Sequence, residues 1–524
     1  MKFINKYNTV VIAAAASLAF TSCNDFLDEL PDNRMELKNK DEVSSILVSA
    51  YPTQWSAYLL ETFSDNTDEY VKPGWTAVDL FQEEAWSWGK ITSIDDETPQ
   101  SLWDSYYSAV ASANQALEFL ESLSDKSEYK DQLCEAYLCR AYSMFKLSEI
   151  FCQAYDPATA GKELGLPYPL KPEKTIGEQY KRGTLEDLYD KIDKDIQNAL
   201  PYVHNNYSAV KYHFNMQAAY AFASRFYLNY RKFDKTIDYA TRVLGDNPVL
   251  KLRDWKTLKS LSANQQIQPN EYVDSKHTAN LMLVSNYSQW GVFAGPWNIG
   301  QKYSHGTKIS EKETLESQGP WGSTSNNLGW RVFINNSLAR HFARNIPYAF
   351  EYTDIQAEIG FPHSVQAEFT TDKLLMERAE AYALSGDLKN AIADMNTELS
   401  AFQVSGKTKL DLESIKKFYG GLKYYTAMEP TPKKEFHTSL VTDKENQEPV
   451  LQCLLHLKRI LTIHEGLRLQ DVKRYGITMY RRTLNEAQEV LEIKDTMEAG
   501  DPRLAIQIPA DVVTAGLEPN PRNN

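Results

Sequence analysis

Apolar and polar positions along this chain recur with the period of a helix over four long stretches. In 102–122, Trp103, Tyr107, Val110, Asn114 and Leu117 fall at spacings of three and four, which places them on one helical face. The stretch 129–154 follows, with "CEAYLCRAYSMFKLSEIF" rich in alanine and aromatic residues, the composition of a helix packed on two sides. The same reading predicts paired helices at 184–200 with 214–245, at 372–384 with 387–403, and a fourth pair over about 446–475.

The second and third pairs resemble each other. Tyr227, Phe233 and Ile237 correspond to Tyr382, Leu388 and Ile392 at a constant offset of 155. In both, a helix of small and aromatic residues turns briefly into another helix, as in tetratricopeptide-type repeats. Long insertions separate the repeats. The expected fold is therefore mainly α: tetratricopeptide-like helical repeats with a large irregular, loop-rich half.

That half centres on 255–370, which carries seven glycines from Gly291 to Gly329 among many Asn and Ser. A long loop-rich segment is usually functional or disordered, and its aromatic content argues for order. All ten tryptophans fall in two windows, 55–103 and 255–330. Their concentration outside most of the helical repeats points to binding, because loops on a rigid scaffold carry binding residues. The alternative for each tryptophan is local loop packing.

The first 22 residues are a different material. Lys2 and Lys6 precede the apolar run Val10 to Phe20, which has the length of a secretory signal and is too short for a stable membrane span. Thr21 and Ser22 then lead into Cys23. Small residues before a cysteine resemble a bacterial lipobox, with 1–22 as signal peptide, Cys23 lipidated and 23–40 as a tether. The alternative is a cleavable signal with an incidental cysteine. The other cysteines, Cys134, Cys139, Cys152 and Cys453, form no C-x-x-C pair and read as core thiols. The formal net charge of −14 argues against nucleic acid as a partner.

Catalytic motifs are missing. His464-Glu465 opens a zinc-protease pattern, but Arg468 stands where the second histidine must be. Glu465, Arg468, Asp471 and Arg474 are spaced by three and read as an ion-pair ladder on one helix. No G-x-S-x-G, phosphate loop or dinucleotide fingerprint occurs. The acidic stretches 64–70 ("SDNTDEY") and 93–99 ("SIDDETP") lack the order of a calcium-binding loop and read as solvated turns or helix caps. No cofactor is implied.

The aromatic windows carry the remaining chemistry. A sugar ring presents a flat C–H face bordered by hydroxyls, and an indole or phenol offers a matching apolar face with a polar edge. "SNYSQWGVFAGPWN" (285–298), "GPWGSTSNN" (319–327) and "TDEYVKPGW" (67–75) combine such rings with amides and carboxylates. They nominate Tyr70, Trp75, Tyr287, Trp290, Trp297 and Trp321 as ligand-binding residues, while the helical period of Trp103 marks it as core.

The order of several segments resembles the SusD/RagB family of outer-membrane nutrient-binding lipoproteins. These are "CNDFLDELPDN", "LWDSYYSAVASANQALE", "LGLPYPL", "RGTLEDLYDKIDKDIQNAL", "LLMERAEAYALSGDLKNAIADMN" and "HEGLRLQDVKRYG". The chain departs from the family at Leu457 and Leu461, where glutamate is typical, and at Tyr475, where tryptophan is usual. The resemblance implies a SusD-like domain over 41–524 that is not an enzyme. It implies binding of an oligosaccharide or polysaccharide at the cell surface and a SusC-like TonB-dependent transporter as partner. A peptide-binding member, or a structural subunit of the transporter complex, remains an alternative within it.

Overall fold

The computed structural model describes residues 37–173, 178–262, 266–293, 302–335 and 340–522. Helix α1 (Lys40–Val48) leads into α2 (Pro99–Ser122), α3 (Lys130–Phe151) and α4 (Leu185–Ala199), then α5 (Met216–Asn229) and α6 (Phe233–Leu244). After the irregular half come α7 (Thr371–Leu384), α8 (Leu388–Phe402), α9 (Gln447–Leu461), α10 (Arg468–Tyr475) and the short α11 (Ala510–Thr514). Local sequence starts them. Thr98 caps α2 with Pro99 in its first turn, Thr184 and Asp187 form a capping box on α4, and Asn215 and Asp387 cap α5 and α8.

Successive helices pack as hairpins: α2 on α3, α3 on α4, α5 on α6, α7 on α8, with α6 against α7 and α9 against α7. The central α3 is buried over nearly its whole length, as its two-sided apolar pattern requires. The offset of 155 extends into the turns. The amide of Lys232 donates to the carbonyl of Tyr227 at 2.9 Å, and that of Asp387 to Tyr382 at 2.9 Å. The left-handed residue of each turn also corresponds: Arg231 has φ 60° and Gly386 φ 84°. Two stretches far apart in sequence thus build one repeat geometry down to the hydrogen bonds of the turn.

The half between α6 and α7 is less irregular than its composition suggests. It contributes β2 (Asn280–Tyr287), β4 (Ala349–Asp354) and β5 (Ile359–Thr370), which form an antiparallel sheet in the order β2-β5-β4. A second sheet gathers β1 (Asp68–Tyr70), β3 (Tyr303–Ser304), β6 (Met479–Leu484) and β7 (Val490–Met497) in the order β7-β6-β1-β3. It joins segments from both ends of the chain, and only the β1–β6 pair is parallel.

Two expectations are corrected. The run 446–475 holds two helices, α9 and α10, so the ladder predicted on one helix is interrupted. The break falls where His464 has φ 68° and Gly466 φ 75°. A side chain at Gly466 would also meet Ala57 Cα at 2.8 Å. The predicted ladder on this run therefore dissolves into long-range pairs: Glu465 with Lys373 at 2.6 Å, Arg468 with Asp65 at 2.7 Å, and Arg474 with Glu380. Asp471 binds Lys458 at 2.7 Å and keeps only a longer contact, 3.6 Å, with Arg474.

The acidic stretch 64–70 is not a solvated turn either, since every residue in it is buried. Asp65 and Asp68 face Arg468 and Arg482 inside the protein, alongside Glu313, which binds Lys434 at 2.6 Å and Arg459 at 2.9 Å. Charge density that reads as surface in one segment is matched here by cations from distant ones, as burial demands. Leu457, Leu461 and Tyr475 are all buried core residues. Cys134, Cys139, Cys152 and Cys453 are buried free thiols.

Candidate carbohydrate-binding face

The two tryptophan windows meet in space. Tyr58 stacks on Trp290 with ring centroids 5.4 Å apart, and Trp86 stacks on Tyr303 at 4.7 Å. Lys302 donates its amide to Thr76 at 3.1 Å and its ammonium to Glu83 at 2.7 Å. Glu97 accepts from the Ser288 hydroxyl and from the Gln289 amide at 2.9 Å. Burial pushes the Glu97 carboxyl up to about 8 although those two donors oppose it.

The tryptophans play a different part from the one their distribution predicts. Of the nine described, Trp75 alone is not buried. Trp290 is 8% exposed and donates its indole N–H to the His464 carbonyl at 2.7 Å. Trp321 is 1% exposed, donates to Thr324 at 2.9 Å, and packs so closely on Gly319 that a Cβ there would meet its ring at 2.2 Å. Trp86, Trp88 and Trp330 likewise donate to the carbonyls of Thr67, Phe63 and Ile460. The reading of Trp290 and Trp321 as ligand contacts is therefore corrected: both are core residues. These carbonyls belong to the last turns of helices and the turns that follow, where no ladder partner is at hand, and the indoles supply the missing donors.

Tyr70 is corrected in the same way. It is 2% exposed, its hydroxyl bonds Gln488 at 3.3 Å, and its ring lies where a side chain on Gly306 would stand. Trp297 and Cys23 lie outside the described residues. Trp75 and Tyr287 remain partly exposed. Trp75 sits in the turn before α-helical residues Leu80–Trp86, with the Lys72 ammonium 5.3 Å from its ring. Asp79 ends that loop, caps the short helix and accepts from the Tyr58 hydroxyl at 3.2 Å. Tyr58 in turn stacks on Trp290, three residues on from Tyr287.

Around Tyr287 the sheet supplies partners that no aromatic-rich loop motif disclosed. In register, Tyr287 of β2 lies opposite His363 of β5, which lies opposite Ala349 of β4. Phe361 shares that face, edge-on to Tyr287 at 4.3 Å. The His363 ring is 2.6 Å from the Ser285 hydroxyl and 4.0 Å from the Glu351 carboxylate. Tyr287, Phe361 and His363 are partly exposed, and Ser285 and Glu351 are exposed. The result is two rings at right angles beside a hydroxyl, an imidazole and a carboxylate, all on regular strands. The alternation of Phe361 and His363 along β5 is the one sequence signal for this face, and it shows only once the strand is known. Among the described residues, no group of three or more His, Cys, Asp or Glu side chains is placed to hold a metal ion.

Residues 25–228 match the model of the SusD-like family described as "Starch-binding associating with outer membrane". The fold matches a SusD superfamily protein from Bacteroides thetaiotaomicron VPI-5482 with a TM-score of 0.59 and 17% identity, covering 92% of this chain and 99% of that one. It matches a SusD-like carbohydrate binding protein from Bacteroides vulgatus ATCC 8482 with a TM-score of 0.56 and 14% identity, over 88% of this chain and 90% of that one. A laminarin binding SusD-like protein matches with a TM-score of 0.55 and 15% identity, over 93% of this chain and all of that one, 100%. None of the curated protein sequences compared matches the chain. The family model thus matches the N-terminal helices, and the fold shared with these SusD-like proteins extends along nearly the whole chain.

Proposed function

We propose that this chain is a non-catalytic glycan-binding protein of the outer membrane. Cys23 carries its lipid anchor, and it delivers oligosaccharide to a SusC-like TonB-dependent transporter. The observation that carries the reading is the solvent-facing Tyr287–Phe361 pair, flanked by Ser285, His363 and Glu351. Two ring faces suit the C–H faces of sugars, and the polar groups suit their hydroxyls. The residues stand on paired strands, so their geometry is set before ligand arrives, which lowers the cost of binding. No helix among the described residues is long and apolar enough to cross a membrane, so a lipid anchor is the means of attachment that the N-terminal sequence offers. Several acyl chains on one cysteine give stable anchoring.

The test is retention of soluble polysaccharides, laminarin and starch among them, in affinity gels. Tyr287→Ala combined with Phe361→Ala is expected to weaken retention roughly tenfold or more, about 1.4 kcal/mol, with an unchanged thermal midpoint. Undiminished retention by the double variant refutes the assignment of this face. Retention of peptides in place of glycans favours the peptide-binding alternative. Cys23→Ser should release the protein from the outer membrane, which fractionation reads directly.

A further inference from the structure

A cleft of about 680 Å³ runs along the outer side of α2. One wall is α2 itself, from Trp103 and Asp104 to Gln115. Opposite stand the proline-bearing segment 167–172 and Tyr180, and Val512 and Leu517 close one side. Residues 104 to 115 span about 16 Å of helix, longer than one sugar ring.

The cleft is built in place. The Tyr107 hydroxyl donates to the Pro167 carbonyl at 2.8 Å, and the Asn114 amide donates to the Pro169 carbonyl at 2.9 Å. Arg140 holds Asn114 from behind at 2.8 Å while gripping Asp195 with two bonds of 2.6 and 2.7 Å. At the mouth, burial and the neighbouring carboxylates of Glu173 and Glu178 push the Tyr180 hydroxyl above its ordinary pKa.

Its chemistry selects the ligand. The wall at 167–172 is interrupted by Pro167, Pro169 and Pro172, which have no N–H, so an incoming strand finds no ladder there. Among the described lining residues, Asp104, Glu173 and Glu178 stand against one lysine, Lys171, a balance that disfavours anions. Rings of Tyr107 and Tyr180 beside carboxylates, amides and the hydroxyls of Ser108 and Ser112 suit a neutral, polyhydroxylated chain.

Hydrogen bonds through Thr53 tie the strand of Tyr287 to α2. The Tyr287 amide donates to the Thr53 carbonyl at 2.8 Å. The amides of Thr53 and Gln54 donate to Ser105 Oγ at 2.9 and 3.1 Å. Ser105 lies three and seven residues before Ser108 and Ser112 and so borders the cleft face of α2. Thr53 is exposed between the two sites.

We propose that the α2 cleft is a second oligosaccharide subsite, continuous with the Tyr287 face across Thr53, so that the protein favours chains long enough to occupy both. The inference rests on the glycan reading of the Tyr287 face.

Calorimetric titration with laminarin and starch oligosaccharides of increasing length tests it. The wild-type affinity should rise roughly tenfold or more once a chain spans both subsites, because the second contact becomes intramolecular. Tyr180→Ala with Glu178→Gln should abolish that rise and leave the shortest bound oligosaccharide unaffected, with an unchanged circular-dichroism melting curve. A rise that survives in the cleft variant overturns the proposal while leaving the Tyr287 face standing. Loss of all binding in the cleft variant, with none lost in Tyr287→Ala Phe361→Ala, overturns the Tyr287 face and keeps the cleft as the site.

Discussion

Trp290 and Tyr287 are three residues apart and behave as opposites: one ring is sealed under the loops and the other faces solvent. Residue type does not separate them, because both aromatic types serve core and binding alike. Burial does, and it makes their variants distinguishable. Trp290→Ala removes a ring stacked on Tyr58 and leaves the His464 carbonyl without its donor, so it should cost about 3–5 kcal/mol of stability. Tyr287→Ala should leave the chemical denaturation midpoint nearly unchanged. Equal destabilisation by the two would contradict the placement. Glu97 gives a second prediction at this scale. Its carboxyl is raised by burial from its ordinary 4.5 to about 8, so the fold favours its protonated form. The stability it contributes is complete below about 4.5 and is lost as pH rises through about 8. Glu97→Gln should therefore flatten the decline of the melting temperature between those limits. A decline as steep as that of the wild type would place the titration elsewhere.

At the scale of elements, the helices follow from the chain's own pattern, and their joints do not. The apolar period and the caps at Thr98, Thr184, Asn215 and Asp387 locate α2 to α8 within a few residues. The correspondence of Tyr227 with Tyr382 already signals a repeated turn. The break between α9 and α10 is a joint of the other kind. Gly466 is required there by its φ of 75° and by Ala57, which is over 400 residues away in sequence. Gly466→Ala should strain the backbone by about 1–3 kcal/mol and push Ala57 away. Faster amide exchange at residue 466 would report it, since the Gly466 amide donates to the Glu61 carboxylate at 2.9 Å. An unchanged exchange pattern would show the turn to be tolerant. Strands β2 and β5 illustrate the same limit. Their segments read as loop because glycine and asparagine surround them, and they become strands by pairing with each other.

At the scale of the whole molecule, the irregular half is joined to the helical half by buried charge. Burial alone would raise the Glu313 carboxyl, but Lys434, Arg459 and Arg482 outweigh it and hold it at about 2. Glu313→Gln would leave three buried cations short of an anion and should cost about 3–5 kcal/mol, read as a lower midpoint in denaturant. A midpoint equal to that of the wild type would show that Asp65 and Asp68 suffice. Buried histidines set the acid limit. Burial pulls His305 down to about 4 and His456 to about 3 from an ordinary 6.5, so both are neutral in the fold. Their contribution is present above about 6.5 and is lost as pH falls towards 4 and below. His305→Asn should weaken the acid dependence in that window, and an unaltered acid profile would exclude His305 as its source.

The sequence by itself determined the helical repeats, the missing catalytic motifs and the family resemblance, because periodicity, caps and segment order are local properties of a chain. It also marked the aromatic-rich half that carries Tyr287 and Phe361. Only the tertiary structure decided which rings face water, where the acids of 64–70 go, and that β2 and β5 form a platform beside α2. Those outcomes depend on partners hundreds of residues away, such as Arg468 for Asp65 and His464 for Trp290, and burial and pairing with such partners leave no periodic trace in either segment alone.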